Sequence, residues 1–277
     1  RSGLRQSSPQ SPRSKQQGCR ATIRHQQYGH ALMLMKQTTQ IELVTFDLDN
    51  TLWDVSQTIV RAEQSLRRWM QENTADALTV YTSDAIGDIR ERVLEQHSDK
   101  RHDLSFLRTQ VLYECMLASG LASKDAVNAA SRAFDVFFVG RNEVVFYDGA
   151  LEVLADLSQR YRLFALTNGN ANIDRVGIGK YFEGAVSSAD VGASKPDPKM
   201  FRTVLTRAGV PAHQAVHIGD HLSDDILGAN NAGMLSLWYN HNGEFANDSA
   251  SVPSGEVHRL SDLPRMIANL MANLDQD

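Results

Sequence analysis

The sequence predicts an α/β fold: a doubly wound parallel sheet carrying an inserted α-helical cap. Three observations lead there. In the second half of the chain, short apolar runs alternate with amphipathic stretches, the pattern of strand–helix repeats. A first apolar run, Ile41 to Phe46, is cut off from the others by a long segment with helical periodicity alone. Finally, unusual polar residues gather directly after the apolar runs, where an open parallel sheet binds its ligands.

Taken in order, residues 1–40 carry seven Lys/Arg and no acid, with Ser, Gln and Pro in abundance. They read as a disordered basic tail. A transit-peptide-like segment and a basic arm are the alternatives, and a start near Met33 or Met35 fits the plain extension. Residues 41–52 and 146–277 form the α/β core, and 53–145 the cap. In the cap, Val55, Ile59, Ala62, Leu66 and Trp69 recur at helical spacing, with Asp54 and Gln57 as a capping box. Ser83 is expected to cap a second helix bearing Ile86, Ile89, Val93 and Leu94. Leu104 to Cys115 makes a third, ended by Gly120, and Ala126 to Phe138 a fourth. The core continues with a helix over 149–160, strands at 162–166 and 184–187, and a helix over 199–208. A strand at 215–218, a helix over 225–232, a strand at 234–238 and a terminal helix over 263–274 complete it.

The 277 residues bear 28 Lys/Arg and 33 Asp/Glu. With seven of the bases in the tail, the remainder is strongly acidic, which argues against a sequence-independent nucleic-acid face. No apolar run approaches the ~20 residues of a membrane span. Cys19 and Cys115 make neither a disulfide framework nor a zinc site, which suggests a reducing, cytoplasmic setting. The expected partner is a small molecule, not nucleic acid or membrane, and the expected state a monomer or homodimer.

Asp47 and Asp49 follow the first strand, Thr167 and Asn168 the second, and Asp220, Asp224 and Asp225 the strand at 215–218; Lys195 lies in a loop after the strand at 184–187. Any one of these reads as turn or cap chemistry. Four strand ends delivering them to one rim read as a site. Clustered carboxylates need a hard cation, and Mg²⁺ takes one or two carboxylates with phosphate oxygens and water. Asp47, ionised at neutral pH, is fit to attack phosphorus, and Asp49 to carry a proton to the leaving oxygen. Turn amides, the Thr167 hydroxyl and Lys195 are fit to hold phosphate oxygens. His213, His217 and His221 have helical spacing, but His217 lies in a strand, so they are not read as a metal site. Trp53, Trp69 and Trp238 are read as packing.

FDLDNTL (46–52), LTNGN (166–170), SKP (194–196) and HIGDHLSDD (217–225), in this order, resemble the four motifs of the haloacid-dehalogenase-like hydrolase superfamily. The resemblance implies a Rossmann-like core and, between the first two motifs, a helical cap of the first cap class. It makes Asp47 the nucleophile and a Mg²⁺ ligand. It makes Asp49 the general acid/base and a ligand through its carbonyl, and Asp220 the third ligand. Thr167 and Asn168 would bind phosphate, Lys195 would balance charge, and Asp225 would support Lys195 or a metal-bound water. Asp224 is given no role. The founding dehalogenases lack the acid at the position of Asp49, so phosphatase is favoured over dehalogenase, and a phosphosugar mutase is a further alternative. TNGNA (167–171) with SKPDPKMF (194–201) resembles bacterial phosphatases of riboflavin biosynthesis, which implies 5-amino-6-(5-phospho-D-ribitylamino)uracil or FMN as substrate. Sugar phosphates and nucleotides are the alternative. A signalling receiver domain shares the residue types but is shorter and lacks the cap.

Overall fold

The central strands of this chain are buried on both faces, so alternate residues serve different halves of one core. A computed structural model of the chain describes residues 40–245 and 251–274; the predicted tail lies outside them except for Gln40. The sheet contains β1 (Leu43–Phe46), β2 (Arg162–Thr167), β3 (Gly184–Ser187), β4 (Ala215–Gly219), β5 (Leu235–Tyr239) and β6 (Gly255–Val257). All pairings are parallel, in the order β3-β2-β1-β4-β5-β6. Leu163 and Ala165 face one way, with Val44, Phe46, Val216 and Ile218. Phe164 and Leu166 face the other, with Leu43 and Val186. That is the period-two geometry of a strand buried on both sides.

Helices cover both faces. Against the first pack α6 (Ala150–Leu157) through Val153, Leu154 and Leu157, and α8 (Leu263–Leu274) through Leu263, Ile267 and Leu270. Against the second packs α7 (Pro198–Ala208) through Met200, Phe201, Val204 and Ala208. Asp197 starts α7 by accepting from the Lys199 N–H at 2.8 Å, and Pro198 sits at its first turn, where a missing N–H costs nothing.

The chain leaves the core at Trp53 and returns at Phe146. The two residues face each other in an antiparallel bridge, beside which Tyr147 N–H donates to the Leu52 carbonyl at 2.9 Å. Between them lie α1 (Val55–Asn73), α2 (Ala75–Tyr81), α3 (Ala85–Gln96), α4 (Leu104–Ala118) and α5 (Ser123–Arg141). These helices bury a core of their own, made by residues such as Leu66, Met70, Val93, Leu112, Met116 and Phe137. The described core and cap residues belong to one compact unit.

Several local expectations change. Asp54 caps α1 by accepting from Ser56 N–H, while Gln57 donates to the Asp54 side chain instead of closing a box. The buried stripe of α1 is Thr58, Ala62, Leu66 and Met70; Trp69 is half-buried under Arg132. Asp84, not Ser83, precedes α3, because the Ser83 hydroxyl donates back to the Val80 carbonyl at 2.8 Å. The predicted helix at 225–232 begins earlier, as a π-helical turn over Leu222–Leu227 followed by Gly228–Asn231. Among the described residues, no helix is long and apolar enough to cross a membrane.

Candidate active site

The turn after β1 shows why alternate residues of 47–52 have different fates. Leu48 and Leu52 are buried in the core and pin the turn from below. Asp47, Asp49 and Thr51 are thereby left at the carboxyl edge of the sheet. Asp47 N–H still donates to the Ile218 carbonyl at 2.8 Å, so the carboxylate is launched from the sheet itself. Asn50 has φ +61°, a conformation that Asn tolerates better than most side chains, and its side chain accepts from Val55 N–H at 3.2 Å.

The Lys195 ammonium donates to Asp47 Oδ1 and to Asp225 Oδ1, both at 2.6 Å. Thr51 Oγ1 donates to Asp47 Oδ2 at 3.2 Å and lies 3.1 Å from Asp220 Oδ1. His217 Nε2 is 3.0 Å from Asp225 Oδ1, and its Nδ1 is 2.8 Å from Thr45 Oγ1. The histidine in β4 therefore braces the network under the rim. Asp225 also accepts from His221 N–H at 3.0 Å. A Cβ at position 219 would stand 2.2 Å from the Asp225 carboxyl carbon, so Gly219 is what lets Asp225 turn back under the sheet edge.

Electrostatics follow from burial and charge count. Burial, then Asp225 and Asp220, push the Asp47 carboxyl well above the usual carboxylate range, against the pull of Lys195. Burial with Asp225 pushes Asp220 up to about 6. Burial also opposes charge on Asp225, yet Lys195 and His217 outweigh it and hold this carboxyl low. Lys195 stays charged because Asp225 and Asp47 more than offset its desolvation, while burial lowers His217 and keeps it neutral. Asp47, Asp220 and Asp225 bring one carboxylate oxygen each within 4.8 Å of one another. Three carboxylates face one ammonium, all the donors are hard oxygens, and two of the three resist ionisation. That donor set fits a hard divalent cation.

Asp49 stands apart from this cluster. Its Oδ1 accepts from the Trp53 indole N–H at 2.8 Å, and its Oδ2 pairs with Arg141 Nη2 at 2.5 Å. Gly169 passes so close that a Cβ there would meet Asp49 Oδ2 at 2.4 Å and both Arg141 Nη2 and Thr167 Oγ1 at 3.2 Å. Thr167, whose hydroxyl accepts from Gly169 N–H at 2.9 Å, thus flanks Asp49. Asn168 places both ends of its amide on the Lys195 loop. Its Oδ1 accepts from Lys195 N–H at 2.6 Å, and its Nδ2 donates to the Lys195 carbonyl at 3.0 Å. Asp224 receives the same Nδ2 at 3.3 Å. The indole of Trp238 donates to the Asp220 carbonyl at 2.8 Å, so the packing residue also fixes a carboxylate-bearing turn.

Arg141, at the end of α5, escaped the sequence reading. It is 2% exposed, donates from Nε to Asn170 Oδ1 at 3.1 Å, and leaves Nη1 buried without a partner. A signal was present, since Ala126, Ala130, Ala133, Phe137 and Arg141 continue one buried stripe, an unusual seat for an arginine. Above Asp49 and Arg141 opens a cavity of about 540 Å³, roofed by the cap.

Residues 41–233 match the haloacid dehalogenase-like hydrolase family. Over 231 residues the chain is 31% identical to the 5-amino-6-(5-phospho-D-ribitylamino)uracil phosphatase YigB of Escherichia coli, covering 82% of this chain and 97% of that one. It is 30% identical to the glyceraldehyde 3-phosphate phosphatase of Pyrococcus abyssi, over 83% of this chain and 94% of the other. A crystal structure described as 2-haloacid dehalogenase from Pseudomonas syringae superposes with a TM-score of 0.79 at 39% identity, over 83% of this chain and 99% of that one. Fold, motifs and relatives agree: the chain is an enzyme of the haloacid dehalogenase-like hydrolase family.

Proposed function

We propose that this enzyme is a Mg²⁺-dependent phosphomonoesterase that works through a phospho-aspartate on Asp47, acting on a small phosphorylated metabolite. The observation that carries the reading is Asp49, a carboxylate held by Trp53 and Arg141 at the floor of the cavity, beside Thr167 and two residues from Asp47. An alkoxide leaving group needs a proton and a halide does not, so a fixed acid in this position suits ester cleavage.

In the first step an Asp47 oxygen attacks phosphorus, the ester P–O bond breaks, and the departing oxygen takes the proton of the Asp49 carboxyl. In the second, the Asp49 carboxylate takes a proton from water, the oxygen of that water attacks phosphorus, and the bond to Asp47 breaks to free phosphate. Lys195 orients Asp47 and offsets charge, and Thr167 contributes its hydroxyl to the phosphate. Asn168 acts by bracing Lys195. Asp47, Asp220 and the Asp49 carbonyl would hold Mg²⁺, with Asp225 behind Lys195; the ion would supply neutralising charge toward the phosphate oxygens.

For the substrate we favour 5-amino-6-(5-phospho-D-ribitylamino)uracil or FMN, supported by the relationship to the E. coli phosphatase and by the size of the cavity. A reducing, cytoplasmic setting accords with Cys115, which is buried and has no disulfide partner among the described residues. The deciding experiment measures phosphate release from p-nitrophenyl phosphate and from a panel of flavin intermediates, sugar phosphates and nucleotides, with and without Mg²⁺. Release that needs the ion is expected; none from any ester sinks the proposal. Dehalogenation is the second reading, favoured by the description of the Pseudomonas structure. Halide release from 2-chloropropionate, without phosphate release from any ester, would establish it.

A further inference from the structure

The cavity roof has a chemical polarity that the phosphate site does not require. Its walls are hydrocarbon, from Ile59, Val93, Leu94, Leu107, Val111 and Phe137. Its polar members beyond the floor are Tyr81, Arg90 and Arg108, supplied by α2, α3 and α4. Arg108 is held rigidly: its guanidinium carbon lies 3.7 Å from the centre of the Phe137 ring, and Nη1 donates to Glu63 Oε2 at 3.3 Å. The Tyr81 hydroxyl donates to the same Glu63 oxygen at 3.2 Å. Burial and Glu63 push that hydroxyl up while Arg108 and Arg90 pull the other way, so both cations stand near it.

The acceptors are already used. Asp49 is taken by Trp53 and Arg141, Asn170 Oδ1 by Arg141, and Glu63 by Arg108, Tyr81 and Arg67. What is left over is donor capacity. A guanidinium carries five N–H groups; among the described residues Arg108 gives one such bond and Arg90 enters no ion pair. A ligand body that suits this space is apolar along its flanks and rich in acceptor oxygens at its far end. A three-carbon body would leave most of these walls and both guanidinium groups without contact in a cavity of about 540 Å³.

We propose that Arg90 and Arg108 are specificity-determining residues that bind carbonyl or carboxylate oxygens on the end of the substrate remote from its phosphate. The favoured substrates are then phosphomonoesters with a ring-bearing, acceptor-rimmed body, not triose or simple polyol phosphates. This rests on the phosphatase reading above and adds the residues that choose among esters. Because Arg108 is fixed before binding, its ordering cost is already met, which favours a steep preference.

The test compares FMN with ribitol 5-phosphate, which share a phosphorylated five-carbon chain and differ by a dicarbonyl ring, and adds glyceraldehyde 3-phosphate. The intact enzyme should prefer FMN over both by at least ~10-fold in kcat/KM. Arg90→Met and Arg108→Met should each lower kcat/KM for FMN by at least ~10-fold, mainly through KM, and that for ribitol 5-phosphate by less than ~3-fold. Arg108→Lys should restore part of the loss. Arg90 is exposed, so its variant separates recognition from folding even if Arg108→Met is unstable. No FMN preference in the intact enzyme, or equal losses on both esters, overturns the proposal while leaving the phosphatase reading intact. No phosphate from any ester, p-nitrophenyl phosphate included, overturns both.

Discussion

At the rim of the sheet, Asp47, Lys195, His217 and Asp225 are 7%, 4%, 0% and 1% exposed, and each is hydrogen-bonded to another of the set. A few residues away, the cavity under the cap is walled by hydrocarbon and keeps donors to spare. The rim is built of charges that restrain one another, so its geometry is fixed before any ligand arrives, as catalysis by positioned groups requires. The cavity is built of contacts that a ligand completes. Changes at the rim should therefore act on turnover and, where they leave carboxylates without their ammonium, on folding as well, whereas changes in the cavity should act on the choice of ester.

The largest expected effect is that of Asp47→Asn. The amide cannot attack phosphorus, and turnover should fall by at least ~10³-fold, about 4 kcal/mol in the barrier. Stability should hold or rise, because Asp47 is a carboxyl whose ionisation burial already opposes and Lys195 keeps Asp225. A purified variant retaining a tenth of the activity rules Asp47 out as nucleophile.

Lys195→Met tests the opposite half of the pair. It leaves Asp47 and Asp225 facing each other without their ammonium, and removing one member of a buried ion pair costs about 3–5 kcal/mol. With about 2–4 °C per kcal/mol for a domain of this size, the midpoint should drop by roughly 10 °C in a thermal melt. An unchanged midpoint would mean the rim is not held by its charges.

Asp49→Asn lies where the two regions meet. Loss of the proton donor should slow alkyl phosphates by at least ~10²-fold in the first step and p-nitrophenyl phosphate, whose anion leaves unaided, by less than ~10-fold. Burst kinetics separate this from slower hydrolysis of the phospho-enzyme. Equal slowing of the first step on both esters removes the acid role.

The same contrast explains what was legible in the sequence. The rim could be read because its members follow strands directly: once β1, β2 and β4 are recognised, parallel topology sends Asp47, Thr167 and Asp220 to one edge. Strand β3 and helix α8 have the predicted bounds, with Gly184 opening the strand and Pro264 in the first turn of the helix. The cavity was much less legible. Arg141 meets Asp49 across 92 positions of sequence, and no local pattern encodes that pairing. Helix α2 has seven residues, too few to display a period, and β6 has three, so hydrogen bonding to β5 and not its own composition makes it a strand. The bonds of Asn168 to the Lys195 loop were not legible either, because they arise only when β2 and that loop are folded together.

The smallest effect comes from comparing two leucines of the cap. Leu112 is fully buried in the helical core, while Leu94 is 40% exposed and lines the cavity. Truncating Leu112 removes methyl groups from a packed interior and leaves a void, which costs about 2–5 kcal/mol. Leu112→Ala should thus lower the midpoint by roughly 5–15 °C and leave the ranking of esters as it was. Truncating Leu94 removes little buried area, so its stability cost should stay within about 0.5 kcal/mol, as for other surface changes. Its effect should appear in KM for ring-bearing esters, raised by roughly 3- to 10-fold, because one lost methylene contact in an apolar pocket is worth about 1 kcal/mol or more. Melting curves and the ester panel, run on both variants, check this together. If Leu94→Ala leaves every KM unchanged, the substrate body does not lie against α3, and the cavity is not where the choice of ester is made.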